Sequence, residues 1–154
     1  GIPLQLEFYN PESLKDIIIL NSKKLDVKIE TSAAFETAKR SRGTPRIAIR
    51  LLKRILDFSI VQNSEDINMN VVEDSLKQMR IDSEGLDEMD RKYLKCISSD
   101  YNGGPVGIET LSAALLEQRD IIEDVIEPYL MQKGLVQRTS RGRILSEKGI
   151  NHIN

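Results

Sequence analysis

The sequence predicts a mainly α-helical fold in two small units, the second of which ends in a short β-hairpin. Apolar residues recur at helical spacing along most of the chain, and several of these stretches begin with a polar capping residue followed by proline. The polar segment at residues 82–85 interrupts this pattern, and two short stretches of strand-forming residues stand near the C-terminus. A length of 154 residues holds one ordinary domain or two of about 70 residues each. The interruption favours two domains.

Composition excludes several classes of protein. Hydrophobic residues make up 40% of the chain and charged residues 30%, which is typical of a water-soluble globular protein. Apolar runs all stay well short of the roughly 18 to 20 residues that a membrane-spanning helix needs, so we expect no membrane association. The N-terminal residues lack the basic and apolar regions of a secretion signal. We therefore expect a cytoplasmic protein.

The residues that most often carry enzymatic chemistry are scarce. Cys96 is the single cysteine and lies inside an apolar helical pattern, so we interpret it as a structural thiol. His152 is the single histidine and lies near the end of the sequence, where a catalytic base is hard to hold in place. A glycine-rich phosphate loop of the form GxxxxGK followed by Ser or Thr is absent. We therefore expect no His/Cys metal site and no NTP hydrolysis by this chain alone.

Four helices are predicted in the first unit. Asn10 and Pro11 supply a helix cap and a first helical residue, and Thr44 and Pro45 repeat that signal. The expected helices run from Pro11 to about Leu25, from Thr31 or Ser32 to about Arg40, from Pro45 onward with Ile47, Ala48, Leu51, Leu52, Ile55 and Leu56 inward, and from Asn70, with Glu73 in a capping box, to about Arg80.

The second unit is predicted to contain three helices and a hairpin. Asp120 and Glu123 have the spacing of a capping box, and Pro128 should bend the helix that they begin. The expected elements are a helix over residues 87–99, a turn at 102–107, a short helix with Ile108, Leu111 and Leu115 inward, a third helix with Ile122, Val125, Ile126 and Leu130 inward, and strands at 135–138 and 143–146. This order is that of a winged helix, a DNA-binding fold that some proteins use for protein contacts instead.

Charge is unevenly distributed, although the net charge is only −2. Residues 36–54 carry seven basic side chains against one acidic one, and residues 133–148 carry five against one, with five acids at residues 82–90 between them. On the third helix of the second unit, the expected outward positions are acidic, which disfavours laying that helix against phosphates: Asp120, Glu123, Asp124 and Glu127. A nucleic acid would have to be met by the basic residues that flank this helix.

Six blocks of sequence resemble the RuvB family of AAA+ DNA motors, in that family's order and spacing. They are LEFY at 6–9, RGTPRIA at 42–48, GLDEMDRKYL at 85–94, GGPVGIETLSAAL at 103–115, RDIIEDVIEPYL at 119–130 and RTSRGR at 138–143. The resemblance implies that residues 1–9 end the large ATPase domain, residues 10–81 form the small AAA+ lid domain, and residues 82–154 form a winged-helix DNA-binding head. We expect the ATPase core itself to be absent.

The same resemblance implies a function for the complete protein. RuvB proteins use ATP with Mg²⁺ to drive Holliday junction branch migration in DNA recombination and repair, and they act as homohexameric rings around duplex DNA. The resemblance also implies RuvA as a partner, bound through the missing large domain, RuvC as a partner in the resolvasome, and a place in the SOS response. We expect this chain by itself to hold neither ATP nor ADP tightly.

Five residues are candidates for direct contacts. Arg46 stands in the first turn of a helix, where a cation opposes the helix dipole unless an anion is bound there. The resemblance identifies Arg46 as the sensor-2 arginine that reaches the γ-phosphate, and Tyr9 as the residue that closes over the adenine. It also identifies Arg119, Arg138 and Arg143 as DNA contacts.

Arg141, at the tip of the hairpin, is a further candidate for a DNA contact. Two other interpretations stay open at this point: a winged-helix transcription regulator with a helical N-terminal domain, and a winged-helix adaptor that binds proteins. The regulator predicts sequence-specific DNA binding, whereas the motor predicts binding to any sequence.

Overall fold

The computed structural model describes residues 8–153, so most of the expected ATPase-domain segment, residues 1–7, lies outside the described residues. The chain divides into two compact units, the first ending at Asp87 and the second beginning at Glu88. Within the described part of the chain, every helix is too short or too polar to cross a membrane.

Over its described residues, 8–87, the first unit is a bundle of four helices with a small parallel pair of strands. Lys28 pairs with Asp66 and Ile29 with Ile67, which ties the connection after the first helix to the connection before the last. The elements in chain order are α1 (Pro11–Lys24), β1 (Lys28–Ile29), α2 (Thr31–Lys39), α3 (Pro45–Val61), β2 (Asp66–Ile67) and α4 (Met69–Gln78).

Apolar side chains from all four helices form the core of this unit. Its largest fully buried members are Leu14 and Ile18 of α1, Leu52 and Ile55 of α3, Ile67 of β2 and Leu76 of α4. Helix α2 contributes small side chains, because Ala33, Ala34 and Ala38 are all buried and let the neighbouring helices approach closely. The inward face predicted for α3 is confirmed, with Ile47 and Leu56 packed at its margin.

The helix starts follow the sequence signals in α1 and α3 and depart from them in α2 and α4. Asn10 caps α1, and its side chain accepts a hydrogen bond from the Ser13 N–H at 2.8 Å. Helix α4 begins at Met69 because Asn68 caps it, accepting from the Val71 N–H at 2.9 Å, so the predicted start at Asn70 was wrong. The cap of α2 is Glu30, so neither predicted capping residue takes that role.

The polar segment at residues 82–85, which interrupts the helical pattern of the sequence, is folded and packs onto the first unit. The Asp82 carboxylate accepts hydrogen bonds from the Glu84 N–H at 2.9 Å and from the Leu86 N–H at 3.0 Å. Leu86 is fully buried, and Gly85 lies so close to the backbone of Arg40 that a Cβ there would approach the carbonyl oxygen to 3.0 Å. Residues 82–86 therefore complete the first unit. A short polar side chain such as that of Asp82 can cap a turn, so a polar segment need not be a solvated linker.

The second unit has the helical order expected of a winged helix. Helix α7 follows Gln118 as its cap and begins at Arg119, so Asp120 lies inside the helix and the predicted capping box was wrong. The elements are α5 (Glu88–Lys95) with a π-helical extension (Cys96–Asp100), α6 (Ile108–Leu115), α7 (Arg119–Ile121) running into a π-helical segment (Ile122–Ile126), α8 (Glu127–Gln132), β3 (Val136–Thr139), β4 (Gly142–Leu145) and α9 (Glu147–Ile153).

The hairpin, called the wing below, consists of β3, β4 and the two residues between them. Its strands pair antiparallel, with Arg138 opposite Arg143 and Thr139 opposite Gly142. The Thr139 hydroxyl donates to the Gly142 carbonyl oxygen at 2.8 Å and closes the turn. Gly142 has φ +130°, and a Cβ there would collide with the carbonyl oxygen of Val106, so only glycine fits this position.

The π-helical segment in the third helix changes which residues face the core. Val125 is 60% exposed, although α-helical spacing predicted it to be inward, and Glu127 is only 1% exposed, although it was predicted to be outward. Both predictions were wrong because the wider π turn rotates the residues within it and after it relative to α-helical spacing. The break lies just before Pro128, whose missing N–H was expected to disturb this helix.

Leu116 carries local strain that a substitution should relieve. It ends α6 in a left-handed conformation, φ 53° and ψ 42°, and its side chain is 91% exposed. A left-handed conformation costs an ordinary residue about 1–2 kcal/mol, and glycine escapes most of that cost. We expect Leu116→Gly to raise the free energy of unfolding by roughly 1 kcal/mol in urea titrations. Leu116→Ala is the control, since it keeps the strain; an equal gain from alanine would contradict this explanation.

Candidate nucleotide-sensing and nucleic-acid interfaces

Arg46 lies at the start of α3, where an anion would be stabilised. It follows Thr44, the cap residue, and Pro45, the first helical residue, and it is exposed. The first turn of α3 contains no acidic residue, and within residues 8–153 no hydrogen bond or ion pair holds the Arg46 side chain. An unpaired cation beside free backbone N–H groups has the chemistry of a phosphate site.

Tyr9 is held at the same end of the first unit. Its N–H donates to the Gly43 carbonyl oxygen at 2.8 Å, and its side chain is 44% exposed. Gly43 has φ +68° and sits against the Phe8 ring, since a Cβ there would lie 2.8 Å from Cδ1 of Phe8. The loop before α3 therefore brings the two residues predicted to contact nucleotide to one edge of the unit. The roles of Tyr9 and Arg46 stay predictions.

Glu127 is the centre of a buried polar cluster in the second unit. Its carboxylate accepts from the Tyr93 hydroxyl at 2.5 Å, from Arg143 Nε at 2.8 Å and Nη2 at 3.1 Å, and from Arg138 Nη2 at 3.3 Å. A buried carboxylate is stable only when it is paired and hydrogen-bonded, and both oxygens of Glu127 meet that requirement. Glu127 thus joins α8 to α5 and to both strands of the wing.

Burial and charge keep the partners of Glu127 in fixed protonation states. Tyr93 is fully buried, and burial, followed by the charge of Glu127, raises the pKa of its hydroxyl far above the usual range. The hydrogen bond to Glu127 raises the pKa of Arg143, so its guanidinium stays charged. The cluster therefore keeps a neutral hydroxyl donor and a paired guanidinium at any ordinary pH.

Arg143 and Arg138 differ in how much of their guanidinium groups faces solvent. The Arg143 side chain is 8% exposed and bonds Glu127 through two nitrogens. The Arg138 side chain is 51% exposed and donates to Glu127 through one nitrogen, Nη2. Like charges opposite each other on a hairpin repel, and Glu127 offsets that repulsion. Arg138 is therefore the fixed but accessible cation of the wing, while Arg143 offers little surface to a ligand.

Arg119 lies at the first residue of α7, beside this cluster. Its Nε donates to Glu123 Oε1 at 2.8 Å and its Nη1 to Glu109 Oε1 at 3.0 Å, while its side chain stays 60% exposed. Glu123 Oε1 is also 3.8 Å from Arg143 Nη2, so the structure brings together all three arginines predicted to contact DNA. Exposed ion pairs of this kind are worth about 0–1 kcal/mol, which lets another anion exchange with the carboxylates.

The sequence reasoning missed Tyr93 and Glu127 as the residues that hold the arginines in place. The available signal was the hairpin, because a tight turn at residues 139–142 sets Arg138 opposite Arg143 and two opposed cations need a carboxylate. No group of side chains suited to a metal ion occurs among the residues that the structure describes. Cys96 is buried, and burial raises the pKa of its thiol, which disfavours the reactive thiolate.

Two family models match consecutive parts of the chain. The model described as RuvB AAA lid domain matches residues 9–82, and the model described as RuvB C-terminal winged helix domain matches residues 83–154. Together they extend over nearly all of the described residues. The matches confirm the mainly helical fold that the sequence predicted, a lid domain followed by a winged helix.

Named relatives agree with both models. The Holliday junction branch migration complex subunit RuvB of Orientia tsutsugamushi (strain Boryong) is 53% identical over all 154 residues, which are 47% of that protein. The same subunit of Paramagnetospirillum magneticum is 48% identical over 153 residues, 44% of its length. The solved structure of the Thermotoga maritima RuvB Holliday junction branch migration motor superposes with a TM-score of 0.94 at 49% identity, covering 97% of this chain and 50% of that one.

The chain therefore spans about half the length of the relatives it matches, and that half contains the cluster around Glu127 and the α3 arginine described above. The matches to a lid model and a winged-helix model, in that order along the sequence, agree with relatives that are 53% and 48% identical to the chain over the aligned residues. The chain belongs to the RuvB family and consists of that family's lid and C-terminal winged-helix regions.

Proposed function

We propose that this chain is the C-terminal part of an ATP-driven motor that moves Holliday junctions during DNA recombination and repair. The observation that carries the proposal is the match of a lid domain and a winged helix, in that order, to proteins named as branch migration subunits. In this proposal the lid senses the nucleotide state of an ATPase core, and the winged helix holds the DNA that the motor moves.

The winged helix holds duplex DNA by its phosphates. Arg138 and Arg119 are accessible cations in fixed positions, and Arg141 is exposed at the tip of the wing. Arg143 acts through Glu127, since its guanidinium is buried against that carboxylate. Asp120 and Asp124 are exposed on the third helix and disfavour its insertion into a groove. Contacts limited to phosphates hold DNA without reading its sequence.

The lid supplies one side of a nucleotide site that the large domain completes. In the complete protein Arg46 would meet the γ-phosphate and Tyr9 would cover the base of ATP or ADP, and Mg²⁺ held by the large domain would supply positive charge to the phosphates. The unpaired guanidinium at the start of α3 fits that role. The chain by itself binds nucleotide weakly and hydrolyses none, because hydrolysis belongs to the large domain.

The proposed partners also follow from the family. The complete protein assembles as a homohexamer on duplex DNA in the cytoplasm, binds RuvA through its large domain, and works beside RuvC at the junction. The alternative of a transcription regulator is not favoured, since the relatives are motor subunits and the third helix presents carboxylates where a regulator would read bases.

Binding to unrelated DNA sequences tests this proposal. Because the contacts are to phosphates, we expect the chain to bind two duplexes of equal length and unrelated sequence with dissociation constants within about twofold of each other. Fluorescence anisotropy with each labelled duplex measures this directly. A preference of a hundredfold or more for one duplex would correspond to about 3 kcal/mol of base readout and would favour the alternative of a transcription regulator.

A further inference from the structure

The first unit contains a groove that neither the nucleotide site nor the DNA interface uses. Its volume is about 370 Å³, and it runs along one face of α3 toward the end of α4. Its apolar walls come from Ile47, Leu51, Met79 and Ile81. Arg46 does not line it.

Arginines surround this groove and leave it positively charged. Arg40, Arg42, Arg50 and Arg54 line it, together with the acidic residue Asp87. Arg40 is neutralised by Glu36, which accepts from its Nε at 3.0 Å and its Nη2 at 2.8 Å. Within the described part of the chain, no hydrogen bond or ion pair holds Arg50 or Arg54, and both are exposed.

The spacing of these arginines is unfavourable unless an anion binds them. Arg46, Arg50 and Arg54 follow one another at intervals of four residues on α3, which places them on one face of the helix. Like charges at this spacing destabilise a helix. The acidic residue of α3, Asp57, lies three residues after Arg54, and within the described residues no ion pair joins it to Arg50 or Arg54. An acidic ligand along this face would remove that repulsion.

We propose that the groove binds an acidic protein segment that inserts an apolar side chain between Arg50 and Arg54 and the apolar walls. The arginines supply charge complementarity to carboxylates, and the walls exclude water from the inserted side chain. A phosphate ion needs no apolar wall, and duplex DNA presents a convex polar backbone that would leave the walls unfilled. The proposal does not depend on the function proposed above.

A labelled peptide with the core Asp-Glu-Leu-Glu-Asp tests the groove on the whole 154-residue chain. We expect the double variant Arg50→Glu with Arg54→Glu to weaken anisotropy-measured binding by about tenfold or more. Lys53→Glu is the matched control, because Lys53 is an exposed cation on the same helix that does not line the groove. Replacing the peptide's leucine by serine should weaken binding to the unaltered chain by about tenfold. Circular dichroism checks that the variants stay folded.

Four outcomes would overturn the proposal. Undetectable binding of the leucine peptide would do so, as would equal weakening by Lys53→Glu, which would indicate unspecific charge attraction. Equal binding of the serine peptide would show that the walls take no part. Displacement of the peptide by inorganic phosphate or by a short DNA duplex at constant ionic strength would assign the arginines to phosphate groups instead.

Discussion

Glu127→Ala is expected to lower the free energy of unfolding of the second unit by about 3–5 kcal/mol. The substitution leaves the buried Arg143 guanidinium without its carboxylate and the buried Tyr93 hydroxyl without its acceptor. Breaking a buried pair on one side is costly because a charge stays in a medium that solvates it poorly. A domain of this size has a total stability of about 5–15 kcal/mol, so much of it would be lost.

Thermal unfolding followed by circular dichroism measures this effect. For a unit of 60–100 residues, each 1 kcal/mol shifts Tm by roughly 4–8 °C, so we expect a loss of more than about 12 °C. Glu109→Ala is the control, since Glu109 is 80% exposed and its ion pair with Arg119 is worth about 0–1 kcal/mol. If both variants lowered Tm by the same amount, Glu127 would contribute no more to stability than an exposed carboxylate does.

A combined replacement separates the cost of leaving a buried charge unpaired from the net contribution of the whole cluster to stability. Exchanging Tyr93, Glu127 and Arg143 together for Phe, Met and Met removes every buried polar partner at once. Buried ion networks often contribute little net stability compared with apolar groups of similar volume. We therefore expect the triple variant to be more stable than Glu127→Ala alone, which would show that the loss arises from the unpaired charge.

In the complete motor that we propose, Arg46→Ala is expected to reduce ATP turnover on the order of a hundredfold. The reason is electrostatic, because the substitution removes a guanidinium that is free within the described chain and that we propose reaches the γ-phosphate. An exposed arginine outside the core should change stability by no more than about 0.5 kcal/mol.

Steady-state ATPase assays of the complete protein measure this loss. Lys53→Ala is the matched control, as it removes an exposed cation from the same helix away from its first turn. If Arg46→Ala kept the original rate of turnover, Arg46 would be an ordinary solvated arginine with no role in the nucleotide site.

Capping signals in the sequence predicted the start of a helix correctly where a single strong signal had no competing residue nearby. Asn10 and Pro11 gave the start of α1, and Thr44 and Pro45 gave the start of α3, because a capping side chain and a fixed proline φ act within one turn. Two asparagines compete at the start of α4, and the choice of Asn68 over Asn70 depends on which register buries Val71, Val72 and Leu76. That choice is made by packing across the unit.

The candidate site was only partly predictable for a related reason. The positions of Arg119, Arg138 and Arg143 followed from a family resemblance, and the structure brings them together around Glu123 and Glu127. The burial of Glu127 was unpredictable from helical spacing, since a π-helical segment changes the register just before it. Tyr93 lies 34 residues away in sequence, and its contact with Glu127 exists only in the folded unit.

The salt dependence of DNA binding tests most directly the claim that the wing holds phosphates. Each phosphate contact releases about 0.9 counterions, so removing one lowers the slope of log K against log salt by about one unit. Arg138→Ala removes an accessible cation of the wing and leaves both Arg143 bonds to Glu127 in place. Lys95→Ala, an exposed cation on α5, is the control. We predict that Arg138→Ala reduces the slope by about one unit on every duplex and that Lys95→Ala leaves it unchanged; a slope unaltered by Arg138→Ala, with relaxed preference at one base pair, would contradict the account.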